Sequence, residues 1–306
     1  MRSPASPGAR RAAAAWTWTH LLRICLALLP ASAAAWGPAG HRAVGAVADD
    51  LVAPATRAAV EALLADDRDR DGRPSGRRRL AQVADWADEI RGLPGDHPHW
   101  HYDNQPVCGG PAPRGQWCPG GDCASAAIEA QLAILADAHR PREERAVALK
   151  WVVHLAGDLH QPLHVADLAA GGNRIRVAPP GGRGGTERRE ESLHAFWDNH
   201  LVNLALHAGQ GEVPARSLRA LERRARALAP ADVAAPPARW AEESHALARE
   251  LALRIDGVDC RLAGPGEGIE VALDDAYVAK ARRVVEQRLA LAGARLAATL
   301  DRALGN

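Results

Sequence analysis

Several things are scarce in this 306-residue chain. Excess charge is one: 38 Lys+Arg face 37 Asp+Glu, a formal net charge of +1. That balance excludes a histone-like coat that holds nucleic acid through bulk positive charge. Lysine is another, with Lys150 and Lys280 as the only two, so no lysine nucleophile is evident. There is one Phe, two Tyr and one Met, the initiator, and nine of the twelve aromatics are Trp. No run reaches the roughly 18 uninterrupted apolar residues of a membrane span. No Ser–His–Asp set and no phosphate-binding glycine loop stands out. The 47% apolar and 25% charged fractions are those of a globular protein and exclude disorder and a collagen-like chain.

Acids are absent from residues 1–35, which carry Arg2, Arg10, Arg11 and Arg23, a short apolar run and then Ala33-Ala34-Ala35. This is the pattern of a secretory signal cleaved before Trp36, although Arg23 interrupts the apolar run. The expected organisation is a signal at 1–35 and one domain at 36–306, secreted or periplasmic. Removing four Arg leaves 34 positive and 37 negative residues, so the processed chain is formally −3. Cys25 leaves with the signal. Cys108, Cys118, Cys123 and Cys260 remain, an even count that points to two disulfides in an exported chain. Cys118 and Cys123 are near enough in sequence to close a tight loop, which would leave Cys108 to reach Cys260. A zinc site built from these cysteines is the alternative, and the missing C-x2-C spacing counts against it.

What is plentiful is Ala, Leu and Arg at helical spacing. The periodicity predicts helices over 41–64, 79–90, 123–139, 142–160, 192–208, 215–228, 238–255 and 274–304. Pro141 with Glu143 and Glu144 marks a helix start, and Pro162 closes the helix before it. Segments 92–122 and 169–190 read as long loops, and Ile175–Val177 as part of a small β-hairpin. The expected class is mainly α, a single helical domain with that hairpin and long loops. Residues 66–79 form a charged insertion. Asp67, Asp69, Asp71 and Gly72 match the first half of a calcium loop, but Arg78 stands where the twelfth-position Glu belongs. That mismatch favours a solvated surface loop.

Thirteen His are the informative excess. His154 and Asp158 are spaced i, i+4 on one helix face, and His164 follows just beyond Pro162. His194 and Asp198 repeat the spacing on another helix. Each pair brings an imidazole nitrogen and a carboxylate oxygen within one metal's reach, and His/Asp donors suit zinc. Asp88, His101, His41 and Trp36 are further candidates. A free α-amino group can chelate a metal with its own carbonyl, which here requires cleavage immediately before Trp36.

Trp36 with His41, WAD at 86–88, HY at 101–102, GDLHQPLH at 157–164, GGN at 171–173, LHAFWD at 193–198 and AGARLAATL in the last helix together carry a resemblance. The chain resembles the zinc-dependent single-strand-specific nucleases of the mung bean and plant bifunctional type. Their site is related to that of zinc phospholipase C. The resemblance implies three zinc ions: one on Asp88, His101, His154 and Asp158; one on His164, His194 and Asp198; and one on the Trp36 amine and carbonyl, His41 and Asp158 as a bridge. The two cysteine pairings above match the family's disulfides. Arg91 corresponds to the family's phosphate-binding arginine, Tyr102 and Asn104 to its base-binding positions, and Asn199 to a phosphate contact. The implied activity is hydrolysis of single-stranded DNA and RNA to 5′-phosphate products, together with 3′-nucleotidase action. No stable protein partner and no membrane contact of the processed chain are expected.

The alternatives are a zinc phospholipase C and a zinc-storage protein without catalysis. The HY-x-N motif at 101–104 counts against the first, and Arg91 with a bridging Asp158 counts against the second. His97, His99, His160, His200, His207 and His245 are given no ligand role and read as ordinary surface or satisfied core histidines. Trp86, Trp100, Trp151 and Trp197 read as walls of the site. The insertion at 66–79, the Arg/Gly-rich stretch before His194, and Ser192 where the family often has Asn depart from the pattern and bear on substrate range.

Overall fold

The computed structural model describes Met1 and residues 36–178, 191–209 and 212–305. The expected signal at 1–35, and the middle of the Arg/Gly-rich stretch, lie outside the described residues. The class is mainly α, as the periodicity implied. The helices, in chain order, are α1 (Pro38–Leu51), α2 (Pro54–Leu63), α3 (Leu80–Val83), α4 (Trp86–Glu89), α5 (Arg114–Trp117), α6 (Ala124–Ala136) and α7 (Arg142–Asp158). They continue as α8 (Leu193–Ala195), α9 (Val202–Leu206), α10 (Ala215–Arg226), α11 (Pro230–Val233), α12 (Pro237–Leu247) and α13 (Asp275–Leu304). One hydrophobic cluster runs from Trp36 to Leu304 through nearly all of them.

Two predicted helices are each broken in two. The stretch 41–64 divides at Val52 and Ala53, both extended, because the Pro54 ring disfavours a helical residue before it. The stretch 79–90 divides at Ala84–Asp85 into α3 and α4. No proline causes that break; it frees the Ala84 carbonyl, which accepts a hydrogen bond from His154 Nδ1 at 2.8 Å. The predicted helix over 192–208 contains a wider π-type turn at Phe196–Leu201 between α8 and α9.

The small hairpin is present and belongs to a three-stranded sheet of order β2-β1-β3. β1 (Ile175–Ala178) runs antiparallel to β2 (Glu191–Ser192), with Arg176 opposite Ser192. It also runs parallel to β3 (Ile269–Ala272), with Ile175 opposite Ile269. The sequence reading did not anticipate β3. The disulfides are Cys108–Cys260, separated by 152 residues, and Cys118–Cys123, separated by 5.

Helix α1 carries His41 and is packed closely on two sides by small residues. A Cβ on Gly293 of α13 would fall 2.5 Å from Val47 Cγ1. A Cβ on Gly45 would fall 2.7 Å from the Ala81 backbone at the start of α3. At that contact the Asp49 carboxylate accepts from Leu80 N at 3.0 Å and Ala81 N at 3.1 Å, capping α3 from α1. Gly45→Ala must push α3 off α1 and stretch this cap. A loss of about 1–3 kcal/mol is expected, the range of core overpacking. It should appear as a lower urea midpoint with an unchanged slope.

Candidate metal centre

The site is built where α1, α4, α7 and three irregular segments converge. Its side chains form three donor groups: His41, His154 and Asp158; Asp88, His101 and His154; and His164, His194 and Asp198. Within each group the candidate ligand atoms lie within 4.8 Å of one another. His154 is common to the first two groups, and Asp158 lies against both. Its Oδ2 is 3.1 Å from His101 Nδ1 and 3.3 Å from His154 Nε2, and its Oδ1 is 3.3 Å from His41 Nε2. His154 Nε2 is 3.8 Å from Asp88 Oδ1. In the third group His194 Nε2 lies 3.0 Å from His164 Nε2 and 3.3 Å from Asp198 Oδ2.

Helix α7 presents His154 and Asp158 one turn apart and ends there. Pro162 then opens a short 3-10 turn that carries His164. Gly157, beside Asp158, is needed as glycine: a Cβ would fall 2.6 Å from His41 Nδ1. The His41 and His154 rings stack with centroids 4.0 Å apart. Before His194 the chain passes through consecutive left-handed residues, Ala169 to Gly172. There a Cβ on Gly171 would fall 2.7 Å from Leu163 O, which gives the GGN motif its physical reason.

Three histidines are oriented alike. Nδ1 donates to a backbone carbonyl in each: His154 to Ala84 O at 2.8 Å, His164 to His101 O at 2.7 Å, and His194 to Gly171 O at 2.6 Å. In the neutral ring this fixes the tautomer that leaves Nε2 as a lone-pair donor facing the cluster. Burial lowers His164 well below its usual pKa and brings His194 to about 4, so both are neutral donors at neutral pH. Burial also opposes charge on His154, but the Asp158 and Asp88 carboxylates outweigh it and hold this group up to about 9. Asp158 is buried too, yet His154, His101 and His41 hold its carboxyl well below the usual range. Asp198 goes the other way: burial raises it well above that range, against the Gln161 Nε2 that donates to Oδ1 at 2.6 Å.

The donor set passes a test of fit for a cation. His41 Nδ1 and Nε2, His101 Nε2, Asp88 Oδ2, Asp158 Oδ1 and Asp198 Oδ2 are buried with no hydrogen-bond partner. Leaving each buried donor or acceptor unpaired costs roughly 1–3 kcal/mol. The facing Nε2 atoms of His164 and His194 repel as two lone pairs. A divalent ion in each group would satisfy His41 Nε2 and the carboxylate oxygens among these atoms and would separate the facing imidazoles.

A sequence model of the S1/P1 nucleases matches residues 36–305. The chain belongs to the S1/P1 nuclease family. Nuclease S1 of Aspergillus oryzae is 34% identical over 191 residues, covering 57% of this chain and 60% of that protein. Endonuclease 3 of Arabidopsis thaliana is 29% identical over 303 residues, covering 91% of this chain and 92% of its own. Endonuclease 5 of the same plant is 30% identical over 292 residues, covering 87% and 90%. Family membership decides for a nuclease over the phospholipase and storage readings.

In this S1/P1 nuclease Arg91, Tyr102 and Asn199 lie beside the donor groups. Arg91 donates from Nε to Asp88 Oδ1 at 2.8 Å and is hydrogen-bonded to the Tyr102 side chain. Tyr102 is half-buried, its ring 5.0 Å from that of His164. Asn104 is exposed. Asn199 donates to Ala195 O at 3.3 Å and packs against Gly37, whose backbone N donates to Asp198 O at 2.8 Å. That bond ties the residue after Trp36 to the Asp198 turn, and Trp36 itself is fully buried. Trp151 stands edge-on to His101 at 5.7 Å, as a wall.

Sequence reasoning missed two residues. Gln161 orients Asp198, and His160 Nε2 accepts from Arg295 Nη1 at 3.1 Å inside a buried Arg–Glu network. Both stand within GDLHQPLH, which was their only signal. The half-calcium motif holds no free acids: Asp69 Oδ1 accepts from the backbone N of Asp71 and Arg73, Asp71 pairs with Arg73, and Asp67 is fully engaged by protein donors.

Gly157→Ala should displace the His41 ring while leaving the other groups in place. We expect a folded protein, by circular dichroism, that binds less metal than the parent in elemental analysis. Full metal content in this variant would remove His41 from the donor set.

Proposed function

We propose that this chain is an exported three-zinc phosphodiesterase that cuts single-stranded DNA and RNA to 5′-phosphate products and also acts on 3′-nucleotides. The carrying observation is the set of buried, unpartnered His and Asp atoms that converge on Asp158 beside Arg91 and Tyr102. Nitrogen and carboxylate donors without thiolates suit zinc. Asp88, His101, His154 and Asp158 would hold one ion, and His164, His194 and Asp198 a second. The Trp36 amine and carbonyl, His41 and Asp158 would hold the third. Zinc bound there supplies Lewis acidity and lowers the pKa of a bound water to about 7.

The protein's own groups do the rest. Asp158, held ionised by its histidines, would serve as ligand to two of the ions. Arg91, oriented by Asp88 and Tyr102, neutralises charge that builds on the phosphoryl group in the transition state. Tyr102 gives a base a stacking face, Asn104 hydrogen-bonds the base, and Asn199 contacts phosphate. A base must leave its stack to reach Tyr102, which duplex structure resists; single strands are therefore preferred.

The leader at 1–35 is removed before Trp36, and the product is secreted or periplasmic. Two disulfides support an oxidising compartment. No helix among the described residues is long and apolar enough to cross a membrane.

The deciding assay presents the processed, zinc-loaded protein with single-stranded DNA, RNA, 3′-AMP and phosphatidylcholine. Hydrolysis of the first three, abolished by chelator and restored by zinc, is expected; hydrolysis of the lipid alone would sink the proposal. A second measurement addresses the terminus. One extra residue before Trp36 should lower bound zinc by about one ion per chain and reduce the rate sharply, since the α-amino ligand is then an amide. Equal zinc content and rate would refute that ligand.

A further inference from the structure

The charged insertion at 66–79 turns inward at one residue. Asp67 is only 7% exposed. Its Oδ1 accepts from Lys150 Nζ at 2.9 Å; its Oδ2 accepts from Ser75 Oγ at 2.6 Å and Arg77 Nε at 2.8 Å. Arg77 continues the chain of contacts, donating to Glu89 Oε2 at 2.8 Å and to Arg68 O at 3.1 Å. Lys150 Nζ sits 4.0 Å over the Trp86 ring. Burial works against the charge of Asp67, yet Ser75 and Lys150 hold its carboxyl below the usual value.

These contacts join the two helices that flank one metal group. Trp86, Asp88 and Glu89 share α4. Lys150 lies one turn before His154 on α7. From one end of this seam to the other, α4 and its approach are held to α7 by Ala84 O on His154, by Trp86 under Lys150, and by Glu89 through Arg77 and Asp67. The choice of cation also needs explaining, because 36 of the 38 cationic residues are Arg. Lysine brings a compact point charge on a flexible stem rather than a wide planar fork, and here that charge meets the Trp86 ring and the Asp67 carboxylate together. Metal ligands tolerate displacement of only about 0.2 Å, so the spacing of α4 from α7 matters to Asp88 and His154.

We propose that Asp67 and Lys150 are positioning residues for the Asp88–His101–His154 group, and that the insertion is a strut fixing the separation of Asp88 from His154. This rests on the reading above, that the group holds a metal ion.

The test compares the processed full chain with Asp67→Asn, Lys150→Met, the double variant and the control Asp66→Asn, whose exposed partner is Arg142. Zinc retained against a competing chelator, the visible spectrum of the cobalt-substituted protein, kcat and KM on a single-stranded oligonucleotide, and Tm are read for each. We expect one ion to be held about tenfold less tightly in both single variants, as when other supports of metal ligands are removed. The cobalt spectrum should change, kcat should fall and KM should stay. The double variant should resemble the singles, because both break one seam. Asp66→Asn should match the parent. A lower Tm with parental zinc affinity, cobalt spectrum and kcat would overturn the proposal, leaving the lock merely structural. If Asp67→Asn does not fold, Lys150→Met, in which Asp67 keeps Ser75 and Arg77, carries the same comparison. A parent that retains no zinc would refute the three-zinc reading and the positioning role with it, and is distinguished by being seen before any substitution.

Discussion

Asp158 Oδ2 lies 3.1 Å from His101 Nδ1 and 3.3 Å from His154 Nε2, its Oδ1 faces His41 Nε2 at 3.3 Å, and no water reaches the side chain. An ionised carboxylate in such a place carries a desolvation penalty of several kcal/mol unless opposite charge and donors surround it. Meeting that demand requires three separate segments to arrive at one point: α1 with His41, the 3-10 turn with His101, and α7 itself. The close approaches follow from it. Gly157 makes room for the His41 ring, and Gly45 and Gly293 let α1 sit deep between α3 and α13. The core is thin in side-chain bulk where the polar cluster needs backbone nearby.

The irregular backbone has the same origin. His154, His164 and His194 turn Nε2 inward and each gives its Nδ1–H to a carbonyl, while a carbonyl inside a regular helix is already engaged. The break between α3 and α4 releases Ala84 O. The left-handed run at 169–172 presents Gly171 O, and the turn at His101 presents its own carbonyl to His164. The π-type turn holds Asp198 near Gln161 and near the backbone of Gly37. What looks like imperfect secondary structure is a set of acceptors placed to order.

This explains which features could be read from the sequence. The signals that bound α7 are local, Pro141 with Glu143 and Glu144 at its start and Pro162 beyond its end, so its range was legible almost to the residue. The break at Pro54 carries a local signal that the helical periodicity overrode. The break at Ala84 carries none, because His154, seventy residues on, causes it. β3 is four residues long and acquires its identity only from β1, ninety-odd residues earlier. The donor residues were legible because their types and spacing recur as motifs. Asp67 was not: in DDRDRDG a buried hub and a solvated acid are spelled alike, and only the arrival of Lys150 separates them.

The Cys108–Cys260 bond gives the chain a further property. It closes a loop of 152 residues that contains His154, Asp158, His164, His194 and Asp198, while Asp88, His101 and His41 lie on the tail before it. Closing a loop of this size removes about 5 kcal/mol of freedom from the unfolded chain in the entropic picture. A molecule that has lost its ions and its tertiary structure but kept this bond is therefore a ring with two tails, one before Cys108 and one, bearing α13, after Cys260. Most of its donors stay confined to a common volume, so recovery after heat or chelation starts from a closed ring onto which the segments before Cys108 and after Cys260 dock again. Reversibility, more than rigidity, is what that single covalent link confers.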